Sequence, residues 1–96
     1  MELKDTVELM TSSDYKDRFK AEYLQTKIRY EKLKHYNNSI EASLRMMYDE
    51  RNSHATIVEP PHDCPRDMLK DQQHIMGEYL HILEVRAIIE NIELPR

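Results

Sequence analysis

An apolar seam with a seven-residue repeat runs along the first half of this chain. Its members are separated alternately by four and three residues, and they are Phe19, Tyr23, Thr26, Tyr30, Leu33, Asn37, Ile40, Leu44 and Met47. Because this spacing keeps side chains on one face of a helix, the seam predicts a long helix that packs lengthwise against a second helix. The chain also has one Gly and no Trp, a composition that favours helices over a β-sandwich or barrel.

The long helix is predicted over about residues 13–51. Its start follows the sequence Thr-Ser-Ser-Asp at residues 11–14, whose side-chain oxygens are typical of helix N-caps. The seam keeps its register along the whole span, so one continuous helix is the favoured interpretation. The alternative is a break at residues 37–39, where Asn38 and Glu41 have the spacing of a capping box.

Prolines divide the rest of the chain. Residues 52–65 contain three of the four prolines, two of them adjacent, and adjacent prolines cannot lie inside a helix. These residues are therefore predicted to form an irregular connector, followed by a second helix over about residues 66–92. Together the elements form a helical hairpin domain over residues 13–96.

A short helix is predicted to precede the hairpin. Leu3, Val7 and Met10 have i, i+4, i+7 spacing, which indicates an amphipathic helix within residues 1–12. The predicted fold class is therefore all-α, with a long helical hairpin and a short N-terminal helix.

The second helix of the hairpin has two apolar stripes, about 100° apart. One consists of Leu69, Met76, Leu80, Leu83 and Ala87, and the other of Ile75, Tyr79, Ile82 and Ile89. The first helix covers only one stripe, and the N-terminal helix is too short to cover the other. A second copy of the chain is the simplest partner, so the hairpin is predicted to assemble as a homo-oligomeric helical bundle.

Basic residues are concentrated in the first helix. Residues 15–36 contain seven Lys or Arg and three acids, a net charge of +4, so the rest of the chain carries −8. Lysines and tyrosines share one ridge of this segment, in the order Lys16, Lys20, Tyr23, Lys27, Tyr30 and Lys34. Ammonium groups and aromatic rings suit the phosphates and bases of a nucleotide. The simpler interpretation is a solvated helix face whose lysine stems cover the edge of the seam.

Arg86 lies between Val85 and Ala87 in the most apolar part of the second helix. One interpretation is a structural ion pair with Glu90 or with an acid of a partner chain. The other is a symmetric anion pocket, formed if two copies meet at this helix.

No metal, cofactor or catalytic residue is predicted. His74, Glu78 and His81 share one helix face at a spacing that suits zinc, but a closed site needs a fourth ligand, and only residues 62–64 offer one. Those three residues, His-Asp-Cys, are also a poor nucleophilic site. Neighbours in sequence rarely face each other, and no oxyanion-hole turn accompanies them. The chain is therefore not expected to be an enzyme.

Charge, hydropathy and cysteine content limit the cellular compartments and the binding partners that are expected for this chain. The net charge of −4 argues against general binding to double-stranded nucleic acid or to anionic membranes. No apolar run approaches the ~20 residues that span a bilayer, and the N-terminus lacks a signal-peptide pattern. Cys64 is the single cysteine, which excludes an internal disulfide and fits a reducing cytoplasm.

Two segments of the chain carry a family resemblance. They cover residues 14–36 and 63–94, and their most specific runs are Asp14-Tyr15-Lys16-Asp17-Arg18-Phe19, Ile28-Arg29-Tyr30-Glu31-Lys32-Leu33, Met76-Gly77-Glu78-Tyr79-Leu80 and Leu83-Glu84-Val85-Arg86-Ala87. In this order of features the chain resembles small helical-hairpin proteins of phages and prophages that are related to a crAss-like phage protein. Residues 37–62 look longer than that family's usual connector, and residues 1–13 look additional.

The two-helix layout, with an arginine late in the second helix, is more distantly similar to the hairpin of anti-CBASS and anti-Thoeris sponge proteins. That similarity implies a non-enzymatic phage counter-defence protein in the host cell cytoplasm. Its ligand would be a cyclic nucleotide or ADP-ribose derivative, held between protomers by basic and aromatic side chains. The candidate ligand-binding residues are Lys16, Lys20, Tyr23, Lys27, Tyr30, Lys34 and Arg86.

Two other functions stay open at this point. One is a protein-binding inhibitor of a defence effector, similar to an anti-CRISPR, which the net charge of −8 outside residues 15–36 favours. The other is a structural or regulatory phage protein without a small ligand.

Overall fold

The computed structural model describes residues 1–47 and 63–95 of the chain. All elements in these ranges are helical: a 3-10 turn over Leu3–Thr6, the short helix α1 over Val7–Met10, and the long helices α2 over Tyr15–Met47 and α3 over Arg66–Ile89. The all-α class, with a long helix and a short N-terminal helix, is confirmed. Residues 52–62 of the predicted connector lie outside the described residues. No helix in the described part of the chain is long and apolar enough to cross a membrane.

Polar residues fix the start of α2. The Asp14 carboxylate accepts a hydrogen bond from the backbone N–H of Lys16 at 3.0 Å. The hydroxyl of Ser12 donates to the Asp17 carboxylate at 2.8 Å. The bond to Asp14 gives a partner to one amide proton of the first turn, where amide protons have no partner within the helix, and the bond between Ser12 and Asp17 ties the preceding segment to that turn. From this start α2 runs through residues 37–39 without a break.

The core lies between the seam of α2 and one stripe of α3. Its buried members are Phe19, Tyr23, Leu24, Leu80, Leu83, Ala87 and Ile92. Leu83 is only 1% exposed, and burial of one leucine side chain contributes about 1.5–3 kcal/mol. In residues 1–47 and 63–95 nothing covers Ile75, Ile82 and Ile89 of the other stripe, which are all more than half exposed. The first stripe of α3 is therefore mostly buried against α2, whereas the isoleucines of the second stripe are exposed to solvent.

Asn37 is a polar member of the buried seam and is 6% exposed. Its side-chain amide donates to the backbone carbonyl of Leu69 at 3.3 Å and to Oε1 of Gln73 at 2.8 Å. These bonds fix the register of α2 against α3, because a slip of either helix would leave a buried amide without its partners.

The N-terminal segment packs on α2 and not on α3. Thr6 is fully buried there. Its hydroxyl donates to the carbonyl of Leu3 at 2.7 Å and accepts from the side-chain amide of Gln25 at 3.0 Å. Leu9 adds an apolar contact to the core. The segment therefore extends the buried surface of α2 but leaves the outer stripe of α3 open.

Helix α3 ends at Ile89, earlier than the predicted end near residue 92. The reason is Asn91, whose φ of 58° is in the left-handed region. The backbone N–H of Ile92 then donates to the carbonyl of Ala87 at 2.8 Å, the pattern of a Schellman helix end. This turn directs the C-terminal segment back over the hairpin and buries Ile92 in the core.

Candidate ligand-binding site

Three residues of the Lys/Tyr ridge line one groove of the hairpin. Lys20, Tyr23 and Lys27 lie along its α2 side, and the groove has a volume of about 840 Å³. The other lining residues come from the end of α3 and from the C-terminal segment, and they are Glu84, Ala87, Ile88, Ile92, Glu93, Leu94 and Pro95. We call this space the tail groove.

The ridge tyrosines turn their rings inward. Tyr23 is 7% exposed within the core, and Nζ of Lys27 lies 5.8 Å from the centroid of its ring. Nζ of Lys34 lies at the same distance, 5.8 Å, from the centroid of the Tyr30 ring. Each lysine is one turn beyond its tyrosine, so the ring holds the ammonium group by a cation–π contact. The ridge therefore presents lysine charge more than open aromatic faces.

Gly77 is the only glycine of the chain and lies inside α3. A Cβ atom at this position would lie 3.3 Å from Cε1 and 3.5 Å from the hydroxyl oxygen of Tyr30. Glycine costs about 1 kcal/mol inside a helix relative to alanine, and here it allows the Tyr30 ring to lie directly against the α3 backbone. Gly77 is not part of the apolar pattern of α3, so that pattern does not identify it. An isolated glycine within a helix can, however, indicate close packing at that position.

A second groove lies further along α2, and Tyr30 of the ridge is one of its lining residues. Its volume is about 930 Å³, and its charged or ionisable lining residues are Glu41, Lys70, His74, Glu78 and His81. Nε2 of His74 lies 3.1 Å from the Glu78 carboxylate. We call this space the histidine groove. Its cations and acids are intermixed, whereas the tail groove has Lys20 and Lys27 on its α2 side and Glu84 and Glu93 on the other side.

Arg86 lines neither groove. Its Nε donates to the Glu90 carboxylate at 2.8 Å, and its guanidinium carbon lies 4.9 Å from the centroid of the buried Phe19 ring. The hydrogen bond to Glu90 raises the pKa of Arg86 above its ordinary value. The structure thus shows the ion pair that one interpretation of Arg86 named. Lys16 and Lys34 also lie outside the two grooves.

A hydrogen bond that the sequence did not indicate joins α3 to α2. The hydroxyl of Tyr79 donates to the carboxylate of Glu22, which is 57 residues away in the chain. This hydrogen bond and partial burial raise the pKa of Tyr79 above its ordinary value of 10.0, and the nearby Arg86 opposes the shift. Periodicity within one helix cannot predict a hydrogen bond between two residues that are so far apart in the chain.

Among the residues considered for metal or nucleophile chemistry, those that the structure describes do not form a metal site. Within residues 1–47 and 63–95, no three His, Cys, Asp or Glu side chains are grouped in a way that could hold a metal ion. His62 lies outside the described residues, and the half-buried Cys64 precedes α3.

The fold and the grooves define a helical-hairpin protein with open, ligand-sized surfaces along the line where its two long helices meet. The model of one protein family, described as Sequestin, matches residues 13–89. Because the match covers most of the chain, the chain belongs to the Sequestin family. The matched residues begin just before α2 and end with α3, so the N-terminal helix and the C-terminal segment lie outside them. No curated protein and no solved structure matches the chain.

Proposed function

We propose that this protein binds a nucleotide-derived bacterial immune signal, of the cyclic oligonucleotide or cyclic ADP-ribose type, and sequesters it without changing it chemically. In this proposal it is a phage counter-defence protein that acts as a homo-oligomer in the host cell cytoplasm. Membership of the Sequestin family supports sequestration of a ligand, since the family's name suggests that role. The observation that carries the proposal is the tail groove, where Lys20 and Lys27 lie along the α2 side, next to apolar walls, and Glu84 and Glu93 lie on the other side.

The tail groove offers different surfaces to the two halves of a nucleotide. Lys20 and Lys27 provide ammonium groups for charge-assisted contacts with phosphate oxygens. Ile88, Ile92 and Pro95 provide apolar surface for a base. The groove's volume of about 840 Å³ falls within the roughly 300–1,000 Å³ of small-molecule sites in general.

The remaining candidate residues have supporting roles in the proposal. Tyr23 and Tyr30 hold Lys27 and Lys34 in place through their rings. Lys16 and Lys34 extend the positive charge of the ridge beyond the groove, and Arg86 adds a further cation on α3. Positive charge beyond the groove would attract an anionic ligand toward it.

Lys27→Ala is the sharpest test of the groove, because Lys27 both lines it and contacts the Tyr23 ring. Loss of one charge-assisted contact should weaken nucleotide binding by about 1.5–3 kcal/mol, or roughly ten- to a hundredfold. Calorimetry against cyclic di- and trinucleotides and cyclic ADP-ribose isomers measures the change, and circular dichroism checks that helix content is kept. Lys32→Ala is the matched control, since Lys32 is exposed on α2 and lines neither groove.

A companion variant, Tyr30→Leu, keeps an apolar side chain on the seam but removes the ring that holds Lys34. It should weaken binding less than Lys27→Ala, because Tyr30 does not line the tail groove. Equal binding by Lys27→Ala and the unmodified protein would place the site elsewhere. Failure of the unmodified protein to bind any of these nucleotides would contradict the proposed function.

The alternative function is inhibition of a defence effector by protein binding. The observation in its favour is the exposed apolar stripe of α3, which is a suitable surface for a protein partner. This alternative becomes the better account if the protein protects phage from a defence system but binds no nucleotide.

A further inference from the structure

The two sides of the tail groove carry opposite charges. Lys20 and Lys27 lie on the α2 side, and the carboxylates of Glu84 and Glu93, which we call the acid wall, lie on the other side. In the described part of the chain, none of these four side chains forms an ion pair. Both kinds of charge are therefore available to a ligand in the groove.

The acid wall determines which part of a nucleotide can face it. Carboxylates repel phosphate oxygens, so the phosphates are confined to the lysine side of the groove. An ionised carboxylate accepts hydrogen bonds and cannot donate them. The part of the ligand that lies against the acid wall must therefore carry hydrogen-bond donors.

Apolar residues beside the acid wall favour a base as that part of the ligand. Ile88 follows Glu84 by four residues within α3, so the two side chains share a face of the helix. In the C-terminal segment, Ile92 is only 6% exposed and directly precedes Glu93. All four residues line the tail groove. This wall therefore offers apolar contact to the flat face of a base and acceptors to its edge, whereas sugar hydroxyls would match only the acceptors.

Guanine is the base whose donors fit a carboxylate best. On its Watson–Crick edge, N1–H lies beside the exocyclic N2 amino group, so one carboxylate can accept two parallel hydrogen bonds. Adenine has one amino group on this edge, next to the acceptor N1, and that acceptor would face the carboxylate unfavourably. The acid wall therefore discriminates between the two purines.

We infer that the ligand of the tail groove is a cyclic nucleotide that contains guanine, with its phosphates on Lys20 and Lys27 and the edge of the guanine on the acid wall. The inference rests on the proposed function and narrows its ligand. It assigns Glu84 and Glu93 a role in specificity, which neither the lysine charge nor the apolar surface of the groove can supply.

A ligand series tests the preference for guanine on the unmodified protein. Calorimetry compares cyclic di-GMP with its inosine analogue cyclic di-IMP, which lacks only the exocyclic amino groups, and with cyclic di-AMP. Loss of one hydrogen bond to a carboxylate should weaken binding by roughly tenfold. Cyclic di-GMP should therefore bind most tightly, cyclic di-IMP about tenfold more weakly, and cyclic di-AMP most weakly.

Variants of the acid wall separate recognition of the base from a general effect on the groove. Glu84→Gln and Glu93→Gln, made separately and together, remove negative charge but keep the length of the side chain. The combined variant should lose most of the preference for cyclic di-GMP, and its affinity for cyclic di-AMP should stay the same or rise, because less charge opposes the phosphates. Asp71→Asn is the matched control, since Asp71 is exposed on α3 and lines neither groove.

The outcomes distinguish this inference from the proposed function. Equal or tighter binding of cyclic di-AMP or of a cyclic ADP-ribose isomer by the unmodified protein would overturn the guanine assignment and leave sequestration of a nucleotide standing. A preference for cyclic di-GMP that survives in the combined variant would also overturn the role of the acid wall. Failure to bind any of these nucleotides would overturn the proposed function and the inference together.

Discussion

Asn37 is a buried amide in a seam that is otherwise mostly apolar. The hydrogen bonds that its side chain donates cross to α3, one to the carbonyl of Leu69 and one to Gln73. An apolar residue at this position would tolerate several alignments of the two helices, whereas the amide is satisfied in one. Asn37 therefore contributes to specificity of alignment as well as to stability.

We predict that Asn37→Ala lowers the free energy of unfolding by about 1–3 kcal/mol, because it leaves a buried cavity and removes the partner of Gln73. Denaturant unfolding followed by circular dichroism measures the effect. Asn38→Ala is the matched control: Asn38 is the exposed neighbour, and its replacement should change stability by no more than about 0.5 kcal/mol. Equal losses in the two variants would contradict the role assigned to Asn37.

Helices α2 and α3 are also linked by the hydrogen bond between Tyr79 and Glu22. The bond requires a protonated phenol, and it raises the pKa of Tyr79 in the folded protein. Its contribution to stability is therefore fully present below pH 10, near the ordinary pKa of tyrosine. It is lost as the pH rises through the higher pKa of the folded state.

This linkage predicts that the free energy of unfolding differs between the unmodified protein and Tyr79→Phe. The difference should change with pH in the alkaline range. The unmodified protein should be the more stable of the two below pH 10, and its advantage should shrink above that pH. Urea unfolding at a series of pH values measures the difference, and comparison with Tyr79→Phe removes the titration of the other tyrosines and lysines. A difference that does not vary with pH would show that Tyr79 titrates in the folded protein as it does in the unfolded chain.

For the molecule as a whole, the proposed activity is storage of a ligand and not its conversion. In the described part of the chain, the two grooves contain lysines, acids and apolar walls but no paired nucleophile and base. A sponge of this kind must act stoichiometrically, so assembly and affinity determine how much signal it removes.

We therefore expect a bound cyclic nucleotide or cyclic ADP-ribose isomer to be released intact when the protein is denatured by heat. Chromatography of the released material compares it with the same ligand heated without protein. A linear or hydrolysed product that appears only with the protein would contradict sequestration and indicate an enzyme.

The helices of this protein follow from local patterns in its sequence. The seven-residue seam predicts α2 and the face that it buries, the polar residues before Tyr15 predict its start, and the first apolar stripe of α3 predicts the face that packs on α2. These predictions succeed because helix geometry relates residues three, four and seven positions apart, so the information is contained in short stretches of chain.

The candidate site depends on contacts that short stretches do not contain. Tyr23 and Tyr30 belong both to the seam and to the Lys/Tyr ridge, and the packing of α3 turned their rings inward and left the lysines outside. The tail groove needs the left-handed turn at Asn91, which returns Ile92 to the core. Sequence periodicity describes one helix at a time, whereas a groove is formed by residues that folding brings together from distant segments.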